Sequence, residues 1–238
     1  MTPSRVVSKT VAFDALTFDC YGTLIDWEAG LADRLGAALG THGIEAPEDD
    51  LLASYAREEA ALERGAYLPY RQILARCLHN ICARYGVTPT ETETREFAGS
   101  VGDWPAFPDS APALGRLAGR YRLGVITNCD DDLFALSARR LGDPFDWVVT
   151  AQQVRSYKPS RRNFEVALEL IGLPPQRVLH VAQSLFHDHV PALELGFATA
   201  WIDRRRGKVG YGATPPASAR PNIVVPDLAS LANLLLSD

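Results

Sequence analysis

No stretch of this 238-residue chain approaches the roughly 20 consecutive apolar residues that a membrane span requires, so no spanning helix is expected. There is no basic excess either: 24 Lys and Arg stand against 29 Asp and Glu, a net charge of -5. Nucleic-acid binding wants a positive surface, so no such partner is expected. Cysteine is scarce. Cys20, Cys77, Cys82 and Cys129 include no CxxC pair, and no His/Cys spacing suits zinc. They read as reduced, buried thiols, which points to the cytoplasm. The N-terminus lacks the long apolar core of a secretory signal, and residues 1–10 read as a polar lead-in. What is present is a globular composition, 47% hydrophobic, ample for one core with a smaller accessory unit.

Residues 11–19 are rich in β-formers and stop at the turn CYGT, which predicts a buried strand carrying Asp19 at its end. The next stretch is helical in texture. Leu31, Leu35 and Leu39 recur at a step of four before Gly40 and Gly43; further helices are expected over 48–64, over 69–85 and from Thr90. From Phe107 the pattern alternates. Strands are expected at 123–128, 146–150, 177–183, 198–202 and 223–225, with helices at 111–121, 130–141, 161–171, 188–195 and from Asp227. Alternation of this kind implies a parallel sheet covered on both faces. The expected fold is therefore α/β: a Rossmann-like core, residues 1–26 and 104–238, with an α-helical cap, residues 27–103, inserted after the first strand. Residues 207–222 read as a surface loop.

Ligands of open parallel sheets bind at the carboxyl ends of the strands. Those ends carry Asp19-Cys20-Tyr21-Gly22-Thr23, then Thr127-Asn128, then Lys158, then Gln183-Ser184 with His187-Asp188. The set is chemically coherent. A carboxylate can attack an electrophilic carbon or phosphorus and form an ester that water cleaves. A lysine nearby would keep that carboxylate ionised. Thr23 and Thr127 supply hydroxyls, backbone N–H groups of the 20–23 turn can cradle an anion, and Asp188 can activate water. Trp27 and His187 are candidates for the substrate wall. Asp130-Asp131-Asp132 reads as a helix start rather than a metal cluster, and Arg204-Arg205-Arg206 as a solvated flank.

FDCYGTL (18–24) resembles the first motif of the haloacid dehalogenase superfamily, Thr127-Asn128 the second, and Lys158-Pro159 the third, with Asp188 where the acid of the fourth is expected. The resemblance implies that Asp19 is the nucleophile. Phosphatases of the superfamily carry a second Asp two residues after it; here that position is Tyr21. In this respect the chain resembles the type II 2-haloacid dehalogenases. The resemblance implies metal-independent attack by Asp19 on the α-carbon of a small 2-halocarboxylate, giving an inverted 2-hydroxy acid, with no cofactor. Cys20, Tyr21, Thr127 and Asn128 would line the substrate carboxylate site. A cap arginine would receive the halide, with Arg57 best placed and Arg64 and Arg71 competing. Departures are Phe164 where a Tyr is common, Gln183 for Ser and Leu185 for Asn. The alternatives are hydrolysis of another carbon–heteroatom bond in a small carboxylate, such as a strained ring amine, or a phosphatase holding Mg²⁺ on Asp19 and Asp188. Homodimers are frequent in the resembling family.

Overall fold

The computed structural model describes residues 13–207 and 214–237. The lead-in at 1–10 therefore lies outside the described residues, and the 207–222 loop is described only towards its ends. In chain order the main elements are β1 (Ala15–Phe18), α1 (Trp27–Gly40), α2 (Glu48–Glu63), α3 (Tyr70–Arg84), α4 (Glu91–Gly99), α5 (Ser110–Ala118), β2 (Arg122–Thr127), α6 (Asp131–Arg140), β3 (Trp147–Thr150), α7 (Ala151–Val154), α8 (Arg161–Ile171), β4 (Val178–Ala182), α9 (Val190–Glu194), β5 (Ala198–Ile202), β6 (Ile223–Val225) and α10 (Leu228–Leu236). Among the described residues, no helix is long and apolar enough to cross a membrane.

The strands form one six-stranded sheet in the order β3-β2-β1-β4-β5-β6, parallel throughout. Every residue of β1 and β4 is buried, as expected of central strands covered on both faces. Phe18 pairs in register with Val125 on one side and Val181 on the other. β1 therefore sits where the strand order reverses, and the residues just past its end open into the crevice. The strand is shorter than expected. Asp14 stands outside it, paired with Arg177, and Asp19 begins the turn.

Helices α1 to α4 make up the insert. Leu31, Leu35 and Leu39 of α1 are fully buried, so the step of four marks its inner face. α4 starts with a capping box in which Thr90 and Glu93 satisfy each other's backbone N–H groups. α3 begins differently. Its N-cap, Pro69, has no side-chain oxygen to offer. Asp130, from the core, takes its place: Oδ1 accepts the N–H of Tyr70 and Oδ2 that of Arg71, both at 2.9 Å. Asp130 thus caps a helix of the insert rather than its own α6, where it makes no side-chain cap bond. Beside it, Asp132 pairs with Arg71 at 2.6 Å, and Asp131 accepts from Thr150 and Gln153.

Close packing ties α1 to the segment that returns to the core. A Cβ on Gly30 would lie 2.4 Å from the ring of the buried Trp104. Gly30→Ala should therefore displace the indole and cost about 1–3 kcal/mol, the usual penalty of overpacking. A lowered urea midpoint at unchanged slope is the expected result; an unchanged midpoint would show that the contact can relax.

Two short elements differ from expectation. α7 has four residues, too few for a periodic pattern to show. Residues 185–189, expected to lead into an ordinary helix, form a π-helical turn, Leu185–His189, before α9 begins.

Candidate active site

The turn after β1 carries Asp19, 6% exposed. Lys158 reaches it from the segment after α7: Nζ donates to Asp19 Oδ1 at 2.8 Å, to Asp188 Oδ1 at 2.7 Å and to the carbonyl of Ile126 at 2.8 Å. Those three bonds use all three ammonium hydrogens. The second oxygen of Asp19 accepts from the hydroxyl of Thr23 at 2.6 Å. That hydroxyl in turn accepts the backbone N–H of Gln183 at 2.9 Å, which directs its proton to the carboxylate. Asn128 holds Lys158 by its backbone, accepting its N–H at 2.7 Å and donating to its carbonyl at 3.1 Å.

Asp188 is brought in by the π-helical turn. Its Oδ1 also meets Nε2 of His180 at 3.0 Å, and Nδ1 of His180 lies 2.9 Å from the hydroxyl of Thr17. His180 escapes sequence reasoning. The one available signal is a histidine inside an otherwise apolar, wholly buried strand, VLHVA. Phe164 packs edge-on against it at 5.1 Å. The other oxygen of Asp188, Oδ2, is buried with no hydrogen-bond partner among the described residues, an arrangement that asks for a ligand or water.

The electrostatics follow from burial and from the shared ammonium. Burial opposes the charge of Lys158, but Asp188 and Asp19 outweigh it and hold the ammonium well above the ordinary lysine range. For Asp188, burial acts upwards and is overcome by Lys158 and His180, which hold the carboxyl well below its usual value. Burial raises Asp19, against the pull of Lys158. His187 is driven down to about 4 by burial and stays neutral at neutral pH.

A cavity of about 440 Å³, open mouth included, lies over this cluster. From the core, Asp19, Tyr21, Asn128, Lys158, Ser184, His187 and Asp188 line it, with Thr214 at one side. Trp27, Glu59, Glu63 and Tyr70 of the insert face them. The hydroxyl of Tyr21 lies 3.1 Å from that of Ser137, and Ser184 accepts the N–H of His187.

Four residues expected at the substrate do not line this cavity. Cys20 is fully buried in the core beneath the turn, its thiol raised by desolvation, while its carbonyl accepts the N–H groups of Thr23, Leu24 and Ile25. Thr127 is fully buried too, its hydroxyl without a partner among the described residues. Gln183 contributes backbone bonds, to Thr23 and from the indole of Trp201. Arg57 turns back along α2 and donates to Ser54 at 3.0 Å. Arg71 is occupied with Asp132. Among the described residues no arginine lines the cavity; its insert side presents Glu59 and Glu63 instead. Arg204 also departs from a solvated flank. Its guanidinium donates to the carbonyl of Thr23 at 2.9 Å, pairs with Asp109 at 2.8 Å and lies over the ring of Phe107, so it holds the turn that carries Asp19 from behind.

The sequence profile of the haloacid dehalogenase-like hydrolases matches residues 13–183. The chain belongs to that family. An (S)-2-haloacid dehalogenase from Pseudomonas fluorescens is 24% identical over 92% of this chain and 95% of its own length. Among solved structures, an L-2-haloacid dehalogenase superposes with a TM-score of 0.81 at 25% identity, covering 94% of this chain and all of the other. Another, from Xanthobacter autotrophicus with chloropropionic acid covalently bound, gives a TM-score of 0.76 at 21% identity, over 94% of this chain and 98% of its own. As in other haloacid dehalogenase-like hydrolases, a parallel α/β core here carries an inserted helical cap. A divalent metal fits this donor set poorly. Among the described residues no three His, Cys, Asp or Glu side chains gather to hold one, and Lys158 already bridges the two carboxylates that would have to share it.

Proposed function

We propose that this hydrolase cleaves the carbon–halogen bond of a small 2-haloalkanoic acid through an ester formed on Asp19. The observation that carries this reading is Tyr21. It stands two residues after the nucleophile, its hydroxyl beside that of Ser137 and its pKa pushed up by burial. The core thus offers no acidic group there to protonate an oxygen leaving group, and a halide needs none. The curated and structural relatives named for 2-haloacids support the same reading.

In the first step a carboxylate oxygen of Asp19 attacks the α-carbon from the side opposite the halogen. The C–O bond forms, the C–X bond breaks, and the halide leaves with the electron pair. Lys158 and Thr23 hold the attacking group in one orientation. Gly22 and Thr23 spend their N–H groups within the turn, so those of Cys20 and Tyr21 remain for an anionic substrate group. In the second step water attacks the ester carbonyl of Asp19. Asp188 sits beside it with Oδ2 unpartnered among the described residues, placed to accept the proton of that water. The products are a 2-hydroxy acid and the regenerated carboxylate.

Halide release from L-2-chloropropionate without added metal tests the reaction; no release across a panel of haloacids would remove it. A single turnover in ¹⁸O-labelled water tests the route. The label is expected on Asp19, since water attacks the ester carbonyl, and can be located by peptide mass spectrometry. Label confined to the product would rule out the ester.

A further inference from the structure

The insert's contribution to the cavity is acidic. Glu59 and Glu63 lie four residues apart on α2, hence on one helix face, and both border the space above Asp19. Glu59 is buried, 7% exposed. The hydroxyls of Tyr55 and Tyr70 both donate to its Oε1 at 2.9 Å, which fixes the carboxyl and leaves Oε2 without a partner among the described residues. Glu63 makes no hydrogen bond or ion pair among them. Burial pushes Glu59 up to about 7 and raises Glu63 as well, with Glu59 adding to the rise. Lys158, the one Lys or Arg lining the cavity among the described residues, already has three acceptors.

Glu59 is buried and Glu63 half-buried, with no countercharge among the described residues, so burial disfavours their ionised form and a cationic ligand group would favour it. The ligand's place is not in question, because this cavity holds the nucleophile. Its chemistry is what the two acids specify. Among the described residues a purely anionic molecule would meet four carboxyl groups and one saturated ammonium. A molecule with a positive end would find partners in Glu59 and Glu63. The rings of Trp27 and Tyr70 line the same cavity, and aromatic faces favour ammonium groups.

We propose that Glu59 and Glu63 bind a protonated amine of the substrate, so that the preferred haloacid is zwitterionic, with its carboxylate and halogen towards Asp19 and its ammonium towards α2. This rests on Asp19 attacking a haloacid, and the two ideas can fail separately.

The test compares molecules of equal size that differ only in the amine. In calorimetric titration of the intact protein, 3-aminopropionate should bind roughly tenfold or more tightly than butanoate, a difference typical of one well-placed charge contact. Glu59→Gln, Glu63→Gln and the double variant should reduce that preference to about twofold or less, with thermal melts confirming the fold. Gln keeps an oxygen for Tyr55 and Tyr70, so the charge is what changes. Equal or tighter binding of butanoate overturns the proposal, as does a preference that survives in the double variant or the absence of binding by either probe. Halide release from 3-amino-2-chloropropionate and 2-chlorobutanoate then separates the two ideas. Release from both with equal efficiency leaves the dehalogenation standing and overturns the amine site. Selective amine binding with no release from either does the reverse.

Discussion

Asp19→Asn should lower kcat by about 10⁴-fold or more while leaving the protein folded, since removing a covalent nucleophile removes the route itself. The structural cost is small because the rest of the cluster stays paired. Lys158 keeps Asp188 and the carbonyl of Ile126, and an amide oxygen can still accept one ammonium hydrogen. The weak point is the second position, where the amide nitrogen would replace the acceptor of the Thr23 hydroxyl. One misdirected hydrogen bond costs about 1–2 kcal/mol. Steady-state halide release and a thermal melt measure the two halves. Residual turnover within tenfold of the parent would mean that Asp19 is not the attacking group.

Lys158→Met should be the opposite kind of variant, damaging the fold as well as the reaction. Lys158 is 1% exposed, and its ammonium joins two buried carboxylates. Removing the shared cation leaves both without compensation, a change that costs about 3–5 kcal/mol in comparable buried networks. For a chain of this length that lowers the melting temperature by roughly 6–20 °C. The pH dependence gives a sharper check. In the parent, Asp188 is held below its unfolded value of 3.8, so its stabilisation is present above that pH and is lost as the solution is acidified through it. Without the lysine, burial and mutual repulsion raise both carboxyls above their unfolded values. The variant's defect should then be greatest near neutrality and shrink on acidification towards about pH 5, as a proton takes the lysine's place. A melting temperature within a degree or two of the parent at neutral pH would contradict the arrangement.

The parallel sheet was readable because its central strands are continuous apolar runs bounded by helices of clear periodicity. Asp19 was readable because it directly follows β1, where a sheet of this kind gathers its chemistry, and Lys158 because it stands before a proline in the polar segment between β3 and α8. What stayed hidden depends on contacts across the fold. His180 sits in a strand and gives no local sign that its ring reaches Asp188. Arg204 lies in a run of three arginines that reads as surface until Asp109 and Thr23 are seen beside it. The acids of α2 mark a helix, but spacing alone does not say that Glu59 and Glu63 line the cavity over Asp19 while Arg57 turns to Ser54. Arg57 is spaced well enough for the site; its helix simply presents another face.

Asp130 has a consequence for any attempt to rebuild this enzyme. Its carboxylate meets the N–H of Tyr70, whose hydroxyl meets Glu59, so the height of that acid above Asp19 is gauged from the core through a single tyrosine. Grafting α1 to α4 onto another α/β base would leave this ruler without its zero mark unless a short acid stood where Asp130 does. By the same logic, α2 can be redesigned residue by residue on this scaffold, because the yardstick against which its side chains are set belongs to neither of its own ends.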